Sequence, residues 1–140
     1  MYIARLQVEE GFLDGLDVHF ARGLNVIIGP RGSGKTSIIE LIRYALGARG
    51  ITERAGAVGE AHARSILSNG QVTITLRDES TEVFAIRSAA EDAPRLSGRI
   101  VPPTVLSQNE IESIGVSAAG RLRLIDAFRR PASDVQRRIE

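Results

Sequence analysis

From Gly29 to Thr36 the chain reads Gly-Pro-Arg-Gly-Ser-Gly-Lys-Thr, which places three glycines, a lysine and a hydroxyl in the spacing GxxxxGK[ST]. Without side chains in the way, successive backbone N–H groups can turn to one side, and a concave row of donors suits a phosphate group. In that chemistry Lys35 spans the β- and γ-phosphates of a nucleotide and the Thr36 hydroxyl ligates Mg²⁺. Gly29, Pro30, Arg31, Gly32, Ser33, Gly34 and Ser37 are the accompanying contact candidates. Of the 18 basic residues 17 are arginine, and Lys35 is the only lysine. The one compact ammonium thus stands where a planar guanidinium fork would not fit the loop. A chain without a second lysine has no Asn-Lys-x-Asp guanine element, so ATP is expected in preference to GTP.

A phosphate loop of this kind needs a strand before it and a helix after it. Leu24 to Ile28 is apolar apart from Asn25, which predicts a strand covered on both faces in the middle of an α/β layer. After the loop, Ile38, Leu41, Ile42, Ala45 and Leu46 recur at helical spacing, and Gly47 is a natural stop. Upstream, Tyr2 to Glu9 alternates with Ala4, Leu6 and Val8 on one face. Leu16, Val18 and Phe20 repeat that pattern across a Gly11 to Gly15 link, predicting two antiparallel strands.

Downstream, residues 48–69 have weak periodicity and are expected to be loop with one or two short helices, the better defined over Glu60 to Leu67. Gln71 to Asp78 and Glu82 to Ala89 form a hairpin with Val72, Ile74 and Leu76 on one face, and Glu91 to Gly98 is a polar link. Ile100 to Leu106, limited by Pro102 and Pro103, should be a short edge strand. Helices are expected from Asn109 to Ile114, within Ser117 to Phe128, and from Ser133 to Glu140. The fold class is therefore α/β, with an antiparallel subdomain beside a P-loop strand and helix.

At 140 residues, 43% of them apolar, with mean hydropathy of −0.02, the chain has the balance of one soluble domain. It lacks an apolar run of the roughly 18 residues that a membrane span needs, so a cytoplasmic location is expected. Having no cysteine and only His19 and His62, it offers no disulfide, thiolate zinc site or histidine-rich metal site. A net charge of +1 provides no whole-chain attraction for nucleic acid.

The stretch Gly23-Leu24-Asn25-Val26-Ile27-Ile28 through the loop to Ser37-Ile38-Ile39-Glu40, running on to Tyr44-Ala45-Leu46-Gly47, resembles the amino-terminal head segment of structural-maintenance-of-chromosomes (SMC) ATPases. It is also similar to the RecN, RecF and double-strand-break-repair ATPases. Arg31 stands where these families usually have asparagine. Val105-Leu106-Ser107-Gln108-Asn109-Glu110-Ile111 resembles their Q-loop, which implies that Gln108 reaches the Mg²⁺ shell and the attacking water. Lys35 and Gln108 are then the catalytic candidates, and Thr36 and Gln108 the metal ligands.

The resemblance implies an N-terminal ABC-type ATPase lobe over residues 1–130 and the root of a helical or coiled-coil arm over 131–140. It implies ATP and Mg²⁺ as cofactors. The implied partners are a C-terminal ATPase lobe, on the same parent chain or another polypeptide, and a second head in an ATP-dependent dimer. DNA is a partner the resemblance leaves open, and no membrane is implied. Efficient hydrolysis is expected only from a completed head, because the signature motif and the catalytic carboxylate are missing. Leu96-Ser97-Gly98 lies on the wrong side of the Q-loop for a signature, and Leu124-Ile125-Asp126 reads as helix. Arg64 resembles in position an arginine that some heads place over the nucleotide or DNA-facing surface, but the residues by themselves favour an ordinary solvated arginine. Two rival readings stand beside this one: a P-loop kinase acting on a small molecule, and an ATP-gated interaction module that does not hydrolyse.

Overall fold

In the computed structural model, residues 1–48 and 52–126 are described. The alternating segments form β1 (Tyr2–Glu9), β2 (Asp17–His19), β3 (Gln71–Arg77), β4 (Glu82–Ser88) and a two-residue β5 (Arg95–Leu96). They build one antiparallel sheet in the order β2-β1-β3-β4-β5. Leu6 lies opposite Val18 and Ile74, so the apolar faces of three strands coincide. A one-residue slip would turn all of them outward. On that face Ala4, Leu6, Val8, Val72, Ile74 and Leu76 are buried. The polar link expected at Glu91 to Gly98 contributes β5, a small addition to the reading.

Helix α1 (Lys35–Leu46) packs its apolar stripe, Leu41, Ile42, Ala45 and Leu46, on this sheet face. Gly47 ends it in the left-handed conformation at φ 60°, and its N–H closes onto the Tyr44 carbonyl. Tyr44 fixes the helix to the sheet edge. Its hydroxyl donates to the Ser88 carbonyl at 2.8 Å, and the Arg87 guanidinium stacks 3.9 Å from its ring centre. Desolvation pushes the Tyr44 hydroxyl above its ordinary pKa, against a smaller lowering by Arg87.

Two expectations change. The weakly periodic stretch contains one 15-residue helix, α2 (Glu53–Leu67), capped by the Thr52 hydroxyl. Its buried face is Gly59, Ala63, Ile66 and Leu67. The helical period is present, but half of it is written in residues too small to register as apolar. The second change concerns the strands expected at Leu24 to Ile28 and Ile100 to Leu106. Neither segment has strand pairing, and both run along the outside. Leu24 is 92% and Ile28 89% exposed, as is Val101 at 89%. A strand needs a neighbour for its backbone groups, and the five strands present leave none beside these segments.

The edge expected for Ile100 to Leu106 is therefore unpaired chain that meets the core at Ile100 and Val105. Helix α3 (Gln108–Val116) follows it, and residues 118–126 are helical as well. Asp126 thus belongs to a helix, in agreement with the reading of Leu124-Ile125-Asp126. At the sheet edge the Ser97 N–H donates to the Phe84 carbonyl and the Phe84 N–H donates to Ser97 Oγ, as suits a turn and not a signature motif. The arm root expected over 131–140, with the helix from Ser133, lies outside the described residues.

Candidate phosphate and cation site

The loop between the unpaired segment and α1 is shaped around Lys35. Its ammonium donates to the carbonyls of Gly29 at 2.5 Å and Pro30 at 2.6 Å, with a longer contact to Ser33 Oγ at 3.4 Å. Ser33 Oγ in turn donates to the Pro30 carbonyl at 2.7 Å. Gly32 and Gly34 hold φ of 81° and 90°, a region that side chains disfavour. At Gly29 a Cβ would stand 2.7 Å from Ser33 Oγ. The backbone thus favours glycine at Gly32 and Gly34, and a side chain at Gly29 would displace the Ser33 hydroxyl.

The first turn of α1 differs from those of the other two helices. Thr52 caps α2, with Glu53 in the first turn, and α3 begins with a reciprocal capping box between Ser107 and Glu110. At α1 the cap is Gly34, without a side-chain acceptor, and its first turn has no acidic residue. The free N–H groups and positive dipole end at Lys35, Thr36 and Ser37 are left for an external anion.

Beside this turn lies a cavity of about 450 Å³ whose walls come from α1, α2 and α3. Thr36 and Gln108, far apart in sequence, line it together with Glu40, Gly59, His62 and Glu110. Ser107 accepts from the Glu110 N–H at 3.4 Å, and Glu110 accepts from the Ser107 N–H at 2.7 Å, so the first turn of α3 that presents Gln108 is rigidly formed. The Gln108 side chain is exposed and its amide donates to Glu112 Oε1 at 3.0 Å. Lys35 does not line this cavity, since its ammonium turns back into the loop. Pro30, Arg31 and Gly32 are exposed on the loop.

Sequence reasoning missed several residues here. His62 Nε2 lies 3.3 Å from Ser37 Oγ, joining α2 to the first turn of α1. Arg43, buried on α1, donates to the Val105 carbonyl at 2.6 Å and to the Glu110 carboxylate, and so fixes the approach to α3. Glu40 could have been found from its position four residues after Thr36, which puts both on one helix face. Nothing in the sequence singled out His62. Arg64 is occupied elsewhere: it pairs with Glu60 at 2.8 Å, bonds the Ala89 and Glu91 carbonyls and faces Tyr44. The Glu60 hydrogen bond, more than any other contact, raises its pKa further. Arg64 therefore braces α2 against the loop after β4 and takes no part in the cavity.

Residues 11–118 match a family model described as an AAA domain. The chain belongs to the AAA domain family. Within it, the lobe is similar to the chromosome partition protein Smc of Thermoplasma acidophilum, 30% identical over 67% of this chain and 9% of that protein. It is 31% identical to the Bacillus subtilis Smc over 56% of this chain and 7% of that one. The DNA repair protein RecN of Bacillus subtilis is 30% identical over 78% of this chain and 21% of its own length. The chain thus spans a minor part of each relative. It is an N-terminal lobe of an SMC and RecN-like ATPase head, built on an α/β fold with an antiparallel sheet. Among the described residues no helix is long and apolar enough to cross a membrane.

Proposed function

We propose that this AAA-domain lobe holds ATP and Mg²⁺ between the Gly29 to Ser37 loop and Gln108. The observation that carries the reading is that Thr36 and Gln108 line one cavity at the only uncapped helix start among α1, α2 and α3. Backbone N–H groups of the loop and of α1 would take the phosphates, and Lys35 would reach the β- and γ-oxygens. Thr36 would ligate the cation through its hydroxyl, and the Gln108 amide would orient the attacking water. Among the described residues no group of three or more acidic or histidine side chains could hold a metal alone. That suits Mg²⁺, which is often bound through substrate phosphates and few protein ligands. When bound, the cation withdraws charge from the phosphoryl oxygens.

The exposed Leu24, Val26, Ile28 and Val101 would be covered by a C-terminal ATPase lobe, whose strands would complete a sheet beside residues 24–28. An isolated apolar row on unpaired, extended backbone is an edge awaiting a strand. Turnover then requires that lobe, which would bring the water-activating carboxylate, and a second head across the nucleotide. By analogy with the chromosome partition protein Smc and the DNA repair protein RecN, the completed head would act in chromosome maintenance or DNA repair, with DNA as its wider partner. Residues 131–140 would lead into the arm.

Calorimetry with ATP and GTP, with Mg²⁺ and with EDTA, tests the site. The expected result is Mg²⁺-dependent ATP binding that Lys35→Ala abolishes and that Gln108→Ala weakens only when Mg²⁺ is present. ATP binding that survives Lys35→Ala unchanged would remove the loop from the reading.

A further inference from the structure

An imidazole lines the cavity beside the phosphate loop, and the contacts proposed above give it no part. His62 belongs to α2 and forms the cavity wall together with Thr36 of α1 and Gln108 of α3. Its Nε2 lies 3.3 Å from Ser37 Oγ. Ser37 directly follows Thr36 in the first turn of α1, the helix whose cap at Gly34 offers no side-chain acceptor. His62 is exposed, so it adds little packing, and what it offers at this position is a ring nitrogen.

The contact follows from how closely α1 and α2 approach. Gly59 of α2 lies against Glu40 of α1, and a Cβ there would stand 2.3 Å from Glu40 Oε2. Ser37 comes about a turn before Glu40 and His62 about a turn after Gly59, so the close approach carries on to this second pair. Arg64 holds α2 in that place, pairing with Glu60 and bonding the Ala89 and Glu91 carbonyls.

The direction of this hydrogen bond decides what Ser37 can do. A hydroxyl has one hydrogen and two lone pairs, and a neutral imidazole has one N–H and one acceptor nitrogen. If Ser37 donated to His62, it would have only lone pairs to turn to an ionised phosphate, which itself only accepts. If His62 donates, the Ser37 hydrogen is free for a phosphate oxygen, and an anion in the loop selects this second arrangement. We propose that His62 is a positioning residue of the nucleotide site: its Nε2–H donates to Ser37 Oγ, and the Ser37 hydroxyl donates to a phosphate oxygen of the bound nucleotide. A chain of hydrogen bonds then runs from α2 to the phosphate, each strengthening the next. The proposal rests on the nucleotide site described above.

Its test is a double-mutant cycle in ATP affinity, measured by calorimetry on the full chain, His62→Leu, Ser37→Ala and the two combined. His62→Leu should weaken ATP about 5-fold, the worth of one hydrogen bond. The loss should be the same in Mg²⁺ and in EDTA, because the contact leads to phosphate and not to the cation. In the Ser37→Ala background the same change should have no effect. His62→Gln, whose amide N–H can take the place of the ring donor, should restore most of the affinity. Equal losses in both backgrounds, no loss in either, or a Gln variant as weak as the Leu variant would overturn the role of His62, while Lys35→Ala still abolished binding. Failure of the parent chain to bind ATP in either condition would overturn the site itself, and with it this role.

Discussion

The β1, β3 and β4 strands alternate apolar and polar residues and the 24–28 segment is apolar nearly throughout, yet it is the strands that are buried. In the sheet each strand has neighbours on both sides, and Leu6, Val72 and Ile74 are completely buried. In the segment before the phosphate loop the backbone has no strand beside it, and Leu24 and Ile28 face outward. Hydrophobic sequence is thus necessary for a core strand but does not supply its partner. What the lobe completes alone is the antiparallel platform. What it leaves open is the edge that bears the loop.

The largest expected effect lies on the platform. Ile74→Ala removes buried methylenes at the centre of the sheet and should cost about 2–5 kcal/mol in urea unfolding. If it cost no more than an exposed substitution, the platform would not be the stable half. The unpaired segment should behave in the opposite way. Changing Leu24 and Ile28 together to serine should alter the stability of the chain by no more than about 0.5 kcal/mol. The same double variant should bind a C-terminal lobe supplied in trans at least 10-fold more weakly, as loss of two apolar anchors implies. A large drop in melting temperature without any partner would show that these residues are already covered.

The smallest effect is a pH dependence at the sheet edge. The Ser88 N–H donates to Glu91 Oε2 at 2.7 Å, and this bond, more than the Arg95 charge, holds the Glu91 carboxyl below its ordinary pKa. A depressed folded-state value means that the contribution is fully present above the unfolded pKa of about 4.3. It is lost as pH falls through the lower folded value. The melting-temperature gap between the parent chain and Glu91→Gln should therefore close on acidification below the usual carboxylate range. A gap that widened there would contradict the assignment.

Much of the lobe was legible from local pattern. Alternation over Tyr2 to Glu9 and over the Gln71 to Ala89 hairpin reported strands because one face of each is buried, and the Leu41 to Leu46 stripe reported α1 for the same reason. The Ser107 to Glu110 spacing matches the capping box that starts α3. Helix α2 was underestimated because Gly59 and Ala63 occupy contact positions where close approach, and not hydrophobic bulk, is required. The Gly29 to Thr36 loop was legible as a tight glycine turn leading into a helix, where residue spacing and backbone geometry coincide. The α2 wall of the cavity was not, because His62 belongs to no contiguous motif.

By itself the sequence determined the tight glycine-rich loop before α1, since its three glycines and one lysine act through the backbone they immediately adjoin. It also determined the strand faces and the helix caps, which depend on neighbours within a few residues. Only the tertiary structure decided that Thr36, Glu40 and Gln108 share a cavity, because those positions meet through the packing of three helices. It also decided that Leu24 to Ile28 stands unpaired, since pairing depends on which strands the rest of the chain brings alongside.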